Sequence, residues 1–264
     1  NFIINSIAGN SMGAYIAAIY AMGKLKEFKE WVIAMDKLDI IKFLDFRLSA
    51  QGFIKGDKIF RKMKSLFPDQ NIETLPIPYV AVASDIKNEK EVILNKGSIY
   101  EAVRASISIP TVFTPVKKDG ALLVDGGLVN PIPLNRVKRF DDNVLVGAFV
   151  NANIPYEKPL LKKKDKIYNT SYNQKIKDFK NKINKLMPEN HKEKINYFRL
   201  LNKSANMLTY NLSMMNIEKY KPEILINVSR HSAETFDFFK AEELIEAGRQ
   251  AAIKSISDYK TKLI

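Results

Sequence analysis

A serine set between two glycines is the residue best placed to do chemistry. Gly9-Asn10-Ser11-Met12-Gly13 follows the apolar run Phe2–Ala8 and precedes the apolar run Ala14–Met22, which Gly23 closes. This order reads as strand, tight turn, helix. A strand that passes straight into a helix forces the middle residue of the turn into a strained conformation, and glycines two positions either side remove side chains that would collide there. The hydroxyl is then held near a helix N-terminus, whose free N–H groups and positive dipole end favour developing negative charge. Short Gly/Ser motifs arise by chance, and a tight turn with an idle serine gives the same pattern. The flanking strand and buried helix carry the functional reading.

A serine hydroxyl needs a base to become a nucleophile. The chain has two histidines and no cysteine. His191 stands between Asn190 and Lys192 in a lysine-rich stretch, where an exposed side chain is expected. His231 follows an apolar strand and could complete a Ser…Asp…His order, although a loop histidine is the plainer reading. The carboxylate alternative is Asp125, which ends the apolar run Ala121–Val124 and precedes Gly126-Gly127, where another backbone can come close. An ordinary Asp, with a pKa of about 3.9, is a weak base at neutral pH. Burial beside the serine would raise it toward usefulness. An Asp before Gly-Gly is also a common turn former.

The remaining elements are those that must position these two groups. Tyr79–Ser84 and Glu91–Leu94 read as strands. Ser98 is a candidate N-cap for a helix to about Ser106. Pro110 and Pro115 bracket an extended stretch, Thr111–Thr114. Helical spacing runs from Lys26 to about Phe67, from Lys194 to Glu218, and from Asp237 to about Tyr259. Asn143–Val150 and Glu223–Val228 complete the strands. Strands alternating with helices indicate an α/β fold with a mostly parallel sheet. One domain over 1–264 is expected, with a basic insertion at about 155–220.

The net charge is +13, and Lys158–Lys194 carries +8 of it through twelve lysines against four acidic residues. This stretch reads first as a solvated insertion and second as a contact for an anionic membrane surface. No nucleic-acid module accompanies the charge, so no nucleic-acid partner is expected. Met207, Leu208, Met214 and Met215 read as the core stripe of a packed helix, with a membrane-facing surface as the alternative. No uninterrupted run of eighteen apolar residues is present.

Taken together, the motifs resemble those of the patatin-like phospholipases, bacterial ones in particular. Gly9-Asn10-Ser11-Met12-Gly13-Ala14 is similar to their G-T-S-A-G-A elbow. Val124-Asp125-Gly126-Gly127-Leu128-Val129-Asn130-Pro131 is similar to their D-G-G/A motif. Val103–Phe113 resembles the A-S-x-x-x-P-x-x-F segment ahead of it, and Phe236–Gly248 resembles the last helix. The resemblance implies a three-layer α/β/α fold and a Ser11–Asp125 dyad without histidine. It implies hydrolysis of fatty acyl esters through an acyl-enzyme, with no metal or organic cofactor. The substrate would be a phospholipid or other acyl lipid. The substrate-binding candidates are Gly9, Asn10, Met12, Gly13, Gly126 and Gly127. Asn10 and Met12 depart from the commoner Thr and Ala. The family's Gly-rich oxyanion loop, G-G-G-x-R/K-G, has no counterpart after Asn1, so the natural protein is expected to extend upstream. A cytoplasmic or peripheral membrane location is expected, with secretion open. Two readings compete: a patatin fold kept as a non-catalytic binding module, and a Ser–Asp–His esterase using His231.

Overall fold

The computed structural model describes residues 2–35, 57–110, 112–140, 142–160, 197–233 and 237–263. In chain order these form β1 (Ile7–Asn10), α1 (Ser11–Ala21), α2 (Leu25–Ala34), α3 (Asp57–Leu66), β2 (Tyr79–Asp85), β3 (Lys90–Leu94), α4 (Ile99–Ser106), β4 (Val116–Lys118), β5 (Ala121–Asp125), β6 (Val146–Ala152), α5 (Tyr197–Tyr220), β7 (Ile224–Ser229) and α6 (Ala241–Thr261). The fold is of the expected α/β class, with helices layered on a central sheet.

The first strand is shorter and later than the apolar run implies. Phe2, Ile3 and Ile4 are exposed, and pairing starts at Ile7. Helix α1 then begins at Ser11 with no residue between strand and helix. Its Ala14, Ala17, Ala18 and Ala21 are all buried; such small side chains let the helix axis lie close to the sheet. The Tyr79 hydroxyl of β2 donates to the Ala14 carbonyl at 3.0 Å, locking the helix onto the strand beneath it. Gly23 ends the helix with φ +70°. Its N–H bonds the Tyr20 carbonyl and the Lys24 N–H bonds the Ile19 carbonyl, the paired closure that a left-handed residue permits. At α4 the expected cap is present, with Ser98 Oγ accepting from the Glu101 N–H at 3.1 Å.

The pairing of the sheet is mixed, where the alternation of strands and helices led us to expect mostly parallel neighbours. β1 and β2 are parallel, and so are β6 and β7 in a second, two-stranded sheet. β3 and β5 run antiparallel to β2, and β4 runs antiparallel to β5. The cause is local. Asp119 and Gly120, at φ 48° and 78°, form a two-residue hairpin turn that returns the chain at once from β4 to β5. Four residues link β2 to β3, and Asp85 Oδ1 steadies that turn by accepting from the Lys87 N–H at 3.1 Å. Links this short can join only antiparallel neighbours. The Ile109 carbonyl accepts from the N–H groups of both Val112 and Phe113, so a turn replaces part of the extended stretch expected there. Thr111, His191, Phe236 and most of the lysine-rich stretch lie outside the described residues.

Strand β2 organises the site. β3 occupies one edge along Ala81–Asp85. On the other edge, β1 pairs from Tyr79 to Val82 and β5 from Ala83 to Asp85. β1 runs with β2 and ends at Asn10 opposite Val82, while β5 runs against it and ends at Asp125 opposite Ala83. The C-terminal ends of β1 and β5 therefore meet head-on, one residue step apart, about 3.3 Å along β2.

Two glycines make this junction close. A methyl at Gly9 would lie 2.6 Å from both the Ala14 nitrogen and the Gly13 carbonyl carbon, and one at Gly126 would overlap the Val82 carbonyl. Gly13, expected to be needed for the same reason, faces open space instead. Gly9→Ala and Gly126→Ala should each cost about 1–3 kcal/mol of stability in urea denaturation. Gly13→Ala should cost nothing and can gain up to about 1 kcal/mol through helix propensity.

Candidate active site

Ser11 is the first residue of α1 and adopts φ +49°, a left-handed conformation that costs a non-glycine residue about 1–2 kcal/mol. Such strain persists only when the surroundings over-determine it. Here they do. The Ser11 N–H donates to Ser106 Oγ at 2.9 Å, and the same buried hydroxyl donates to the Val82 carbonyl at 2.6 Å. One serine at the end of α4 thus ties the elbow to the strand junction. Asn10, the helix N-cap, makes no capping bond with its side chain. Its amide instead donates to the Asn130 carbonyl at 2.5 Å. The Asn10 side chain therefore caps none of the N–H groups of the first helical turn.

Asp125 is fixed on both sides of its backbone. Its N–H donates to the Ser108 carbonyl, and its own carbonyl accepts from buried Ser84 Oγ at 2.8 Å. Its Oδ1 accepts from the Gly127 N–H at 2.8 Å. Burial pushes the carboxyl pKa above the ordinary carboxylate value, and this outweighs the Ser11 hydroxyl and the Gly127 N–H, which act to lower it. The hydroxyl is thus near enough to influence the carboxylate charge, yet Oδ2 is buried without a well-aligned donor. The pair therefore stands as two neighbouring groups, with Oδ2 of Asp125 left without a hydrogen-bond partner. A catalytic contact commonly tightens only once substrate is bound.

The other candidate positions divide by environment. Gly9 and Gly126 are buried against backbone and shape the junction rather than presenting a surface to a ligand. Asn10 points its amide inward to Asn130. Met12 is 46% exposed, Gly13 is open, and Gly127 is half-buried beside Asp125. His231 is exposed beyond β7, in the other sheet, with its N–H on Ser229 Oγ. Among the described residues no group of three or more His, Asp or Glu side chains is placed to hold a metal ion.

Sequence reasoning passed over the residues that support the pair. Ser106 is one. Asn130 is another: it is buried, donates to Glu91 Oε1 at 2.7 Å and to Asn135 Oδ1 at 2.9 Å, and accepts from Asn216 of α5 at 2.9 Å. Arg136 clamps Glu91 through Nε and Nη2. A buried asparagine with every polar group used is a hub, and here it joins the elbow, the aspartate turn and a distant helix. The only signal in the sequence was its place within the motif that starts at Asp125.

The profile of patatin-like phospholipases matches residues 3–137 of the 264, a stretch that contains both Ser11 and Asp125. The chain belongs to the patatin-like phospholipase family. An uncharacterized NTE family protein of Mycobacterium bovis is 37% identical over 150 residues, 57% of this chain and 42% of that protein. One from Mycobacterium tuberculosis matches to the same extent. Patatin-like phospholipase domain-containing protein 7 of Mus musculus is 28% identical over 156 residues, 56% of this chain and 12% of its own. The chain thus spans less than half the length of these relatives. In this patatin-like chain α5, β7 and α6 all lie beyond the matched stretch.

Strain and burial at the pair make stability predictions. Ser11→Gly should raise stability by about 1 kcal/mol, because glycine adopts φ +49° without penalty. The raised carboxyl of Asp125 means that the folded state holds its proton more firmly than the unfolded chain. That contribution is complete at pH values below the unfolded pKa and is lost as pH rises through the folded one. At neutral pH Asp125→Asn should therefore melt above the wild type, and the gap should narrow as pH falls into the carboxylate range. Thermal unfolding from pH 4 to 8 measures both.

Proposed function

We propose that this chain is a lipid acyl hydrolase of the phospholipase A or lysophospholipase type, working through a Ser11–Asp125 dyad and an acyl-enzyme. The observation that carries the reading is the head-on meeting of β1 and β5 on one edge of β2, which supports Ser11 and Asp125 acting as one unit. The raised carboxyl supports a base role, because a base works best when its pKa approaches the working pH.

The chemistry runs in two halves. Ser11 Oγ attacks the ester carbonyl carbon as its proton passes to Asp125. The carbonyl π electrons move to oxygen, and that oxyanion lies toward the uncapped N-terminus of α1, where N–H groups and the helix dipole oppose its charge. Collapse expels the alcohol of the lipid, which takes the proton from Asp125 and leaves the acyl group on Ser11. In the second half Asp125 accepts a proton from water, the hydroxide adds to the acyl carbon, and Ser11 departs with that proton as the fatty acid is released. Every proton taken by the carboxylate is returned, so the enzyme ends unchanged. The strained φ of Ser11 serves this by holding Oγ at the helix start rather than letting it fold back into a turn.

The test uses the protein expressed with all residues its gene encodes. With a p-nitrophenyl acyl ester, a burst followed by steady release is expected. Ser11→Ala should abolish it. Asp125→Asn should lower turnover by at least a hundredfold, on the order of 2.7 kcal/mol. His231→Ala should leave turnover within about twofold. A loss in His231→Ala equal to that in Ser11→Ala would replace the dyad with a triad. A wild type inert toward every acyl ester would favour the non-catalytic module.

A further inference from the structure

Helix α5 wears its hydrophobic side outward. Leu200, Leu201, Met207, Leu208, Met214 and Met215 are each between 43% and 65% exposed. They form three adjacent pairs spaced seven residues apart, and seven residues complete two helical turns less about 20°. All six therefore lie on one stripe, about 22 Å long at 1.5 Å per residue. The expected core stripe is thus on the surface. The inward side holds Tyr210, Ile217 and Tyr220 against Ile132, Leu134, Leu145 and Phe149, together with buried Ser213 and hydrogen-bonded Asn216. The inner face is thus engaged along Tyr210–Tyr220, which leaves the aliphatic stripe to the other side.

The helix is also attached to the site. Asn216 Nδ2 donates to Asn130 Oδ1 at 2.9 Å and approaches the Ile132 carbonyl at 3.4 Å. α5 packs on the turn Gly126–Leu128 that follows Asp125. Leu128 of that turn is 43% exposed, and Met12 beside Ser11 is exposed as well. In sequence, the stretch Lys158–Lys194 delivers its net charge of +8 three residues ahead of Tyr197, where α5 begins. An apolar stripe preceded in the sequence by so many lysines matches an anionic bilayer, which offers acyl chains below and negative head groups above. The stripe exposes on the order of 600 Å² of apolar side chain, large for a monomer's surface. No described helix is long and apolar enough to cross a membrane, which leaves α5 to lie along one.

We infer that the Leu200–Met215 face of α5 is the surface by which this chain seats on an anionic lipid bilayer, with the turn after Asp125 brought down against the same membrane through Asn216 and Asn130. The inference rests on the lipid-hydrolase reading for its purpose, but its test does not depend on catalysis.

The chain has no cysteine, so Leu208→Cys carries a single NBD label, and Ile253→Cys on α6, also exposed, is the control. On vesicles of equimolar phosphatidylcholine and phosphatidylglycerol, the label at 208 should brighten, shift to the blue and be quenched by acyl-chain nitroxides. The label at 253 should not change. Leu208→Asp with Met215→Asp should weaken partitioning at least tenfold in sedimentation with the same vesicles, and added salt should weaken wild-type binding. Ser11→Ala should bind as the wild type does, so an inactive dyad would leave this result standing. In the doubly substituted protein, hydrolysis of a soluble p-nitrophenyl ester should persist while hydrolysis of vesicle lipid falls. A label at 208 that stays in a watery environment on vesicles overturns the inference. So does a stripe covered by a second copy, seen as a dimer in light scattering that the two aspartates dissolve without changing vesicle binding. Equal binding to phosphatidylcholine alone overturns the anionic assignment.

Discussion

Two strands cannot occupy the same edge positions of a third, and the site depends on that exclusion. β1 and β5 approach along one edge of β2 from opposite directions, and each stops where the other begins, at Val82 and Ala83. Each strand also ends in a residue that leaves the sheet with a reactive side chain in prospect: β1 passes into Ser11 and β5 ends in Asp125. Their neighbourhood follows from register, not from any attraction between them. The Val82 carbonyl lies at the meeting point. It accepts from Ser106, whose hydroxyl in turn accepts from the Ser11 N–H, and it leaves no room for a side chain at Gly126.

The pair is held at an energetic cost that the rest of the fold offsets. A left-handed serine and a carboxylate in a dry setting are both unfavourable, and neither would persist alone. Around them stand buried alanines of α1, the tyrosine hydroxyl of β2, and a buried asparagine with its polar atoms engaged. Among the described residues two buried side-chain atoms lack a hydrogen-bond partner, the Tyr15 hydroxyl and Oδ2 of Asp125, and the second belongs to the pair. A fully bonded carboxylate would hold its charge too well to act as a base. Removing one donor keeps the pKa up and leaves an acceptor free for a proton.

Much of this was legible in the residues. Ser11 between glycines, and Asp125 at the end of an apolar strand, announced themselves by type and spacing. Their meeting was not legible, because it depends on which edge of β2 each strand takes. The antiparallel run of β4 and β5 could have been read from Asp119-Gly120, a pair suited to a two-residue hairpin turn. The supporting roles of Ser106 and Asn130 were not legible, since serine and asparagine are ordinarily exposed and only their places within the motifs set them apart. Helix α5 shows the limit of periodicity most clearly. The seven-residue spacing of its Leu and Met pairs marks a face, but not whether that face turns inward. Tyr210 and Asn216 claimed the inner side by ring contact and hydrogen bonding, and the aliphatic side was left to solvent.

The central claim is that one carboxylate governs the nucleophilicity of one hydroxyl. The most direct measurement is the rate at which a fluorophosphonate modifies Ser11 as a function of pH, located by mass spectrometry of the labelled peptide. The account predicts a rate that rises through a single ionisation above the ordinary aspartate pKa of about 3.9 and that loses this step in Asp125→Asn. Labelling of Asp125→Asn at the wild-type rate, with the same pH profile, would contradict it.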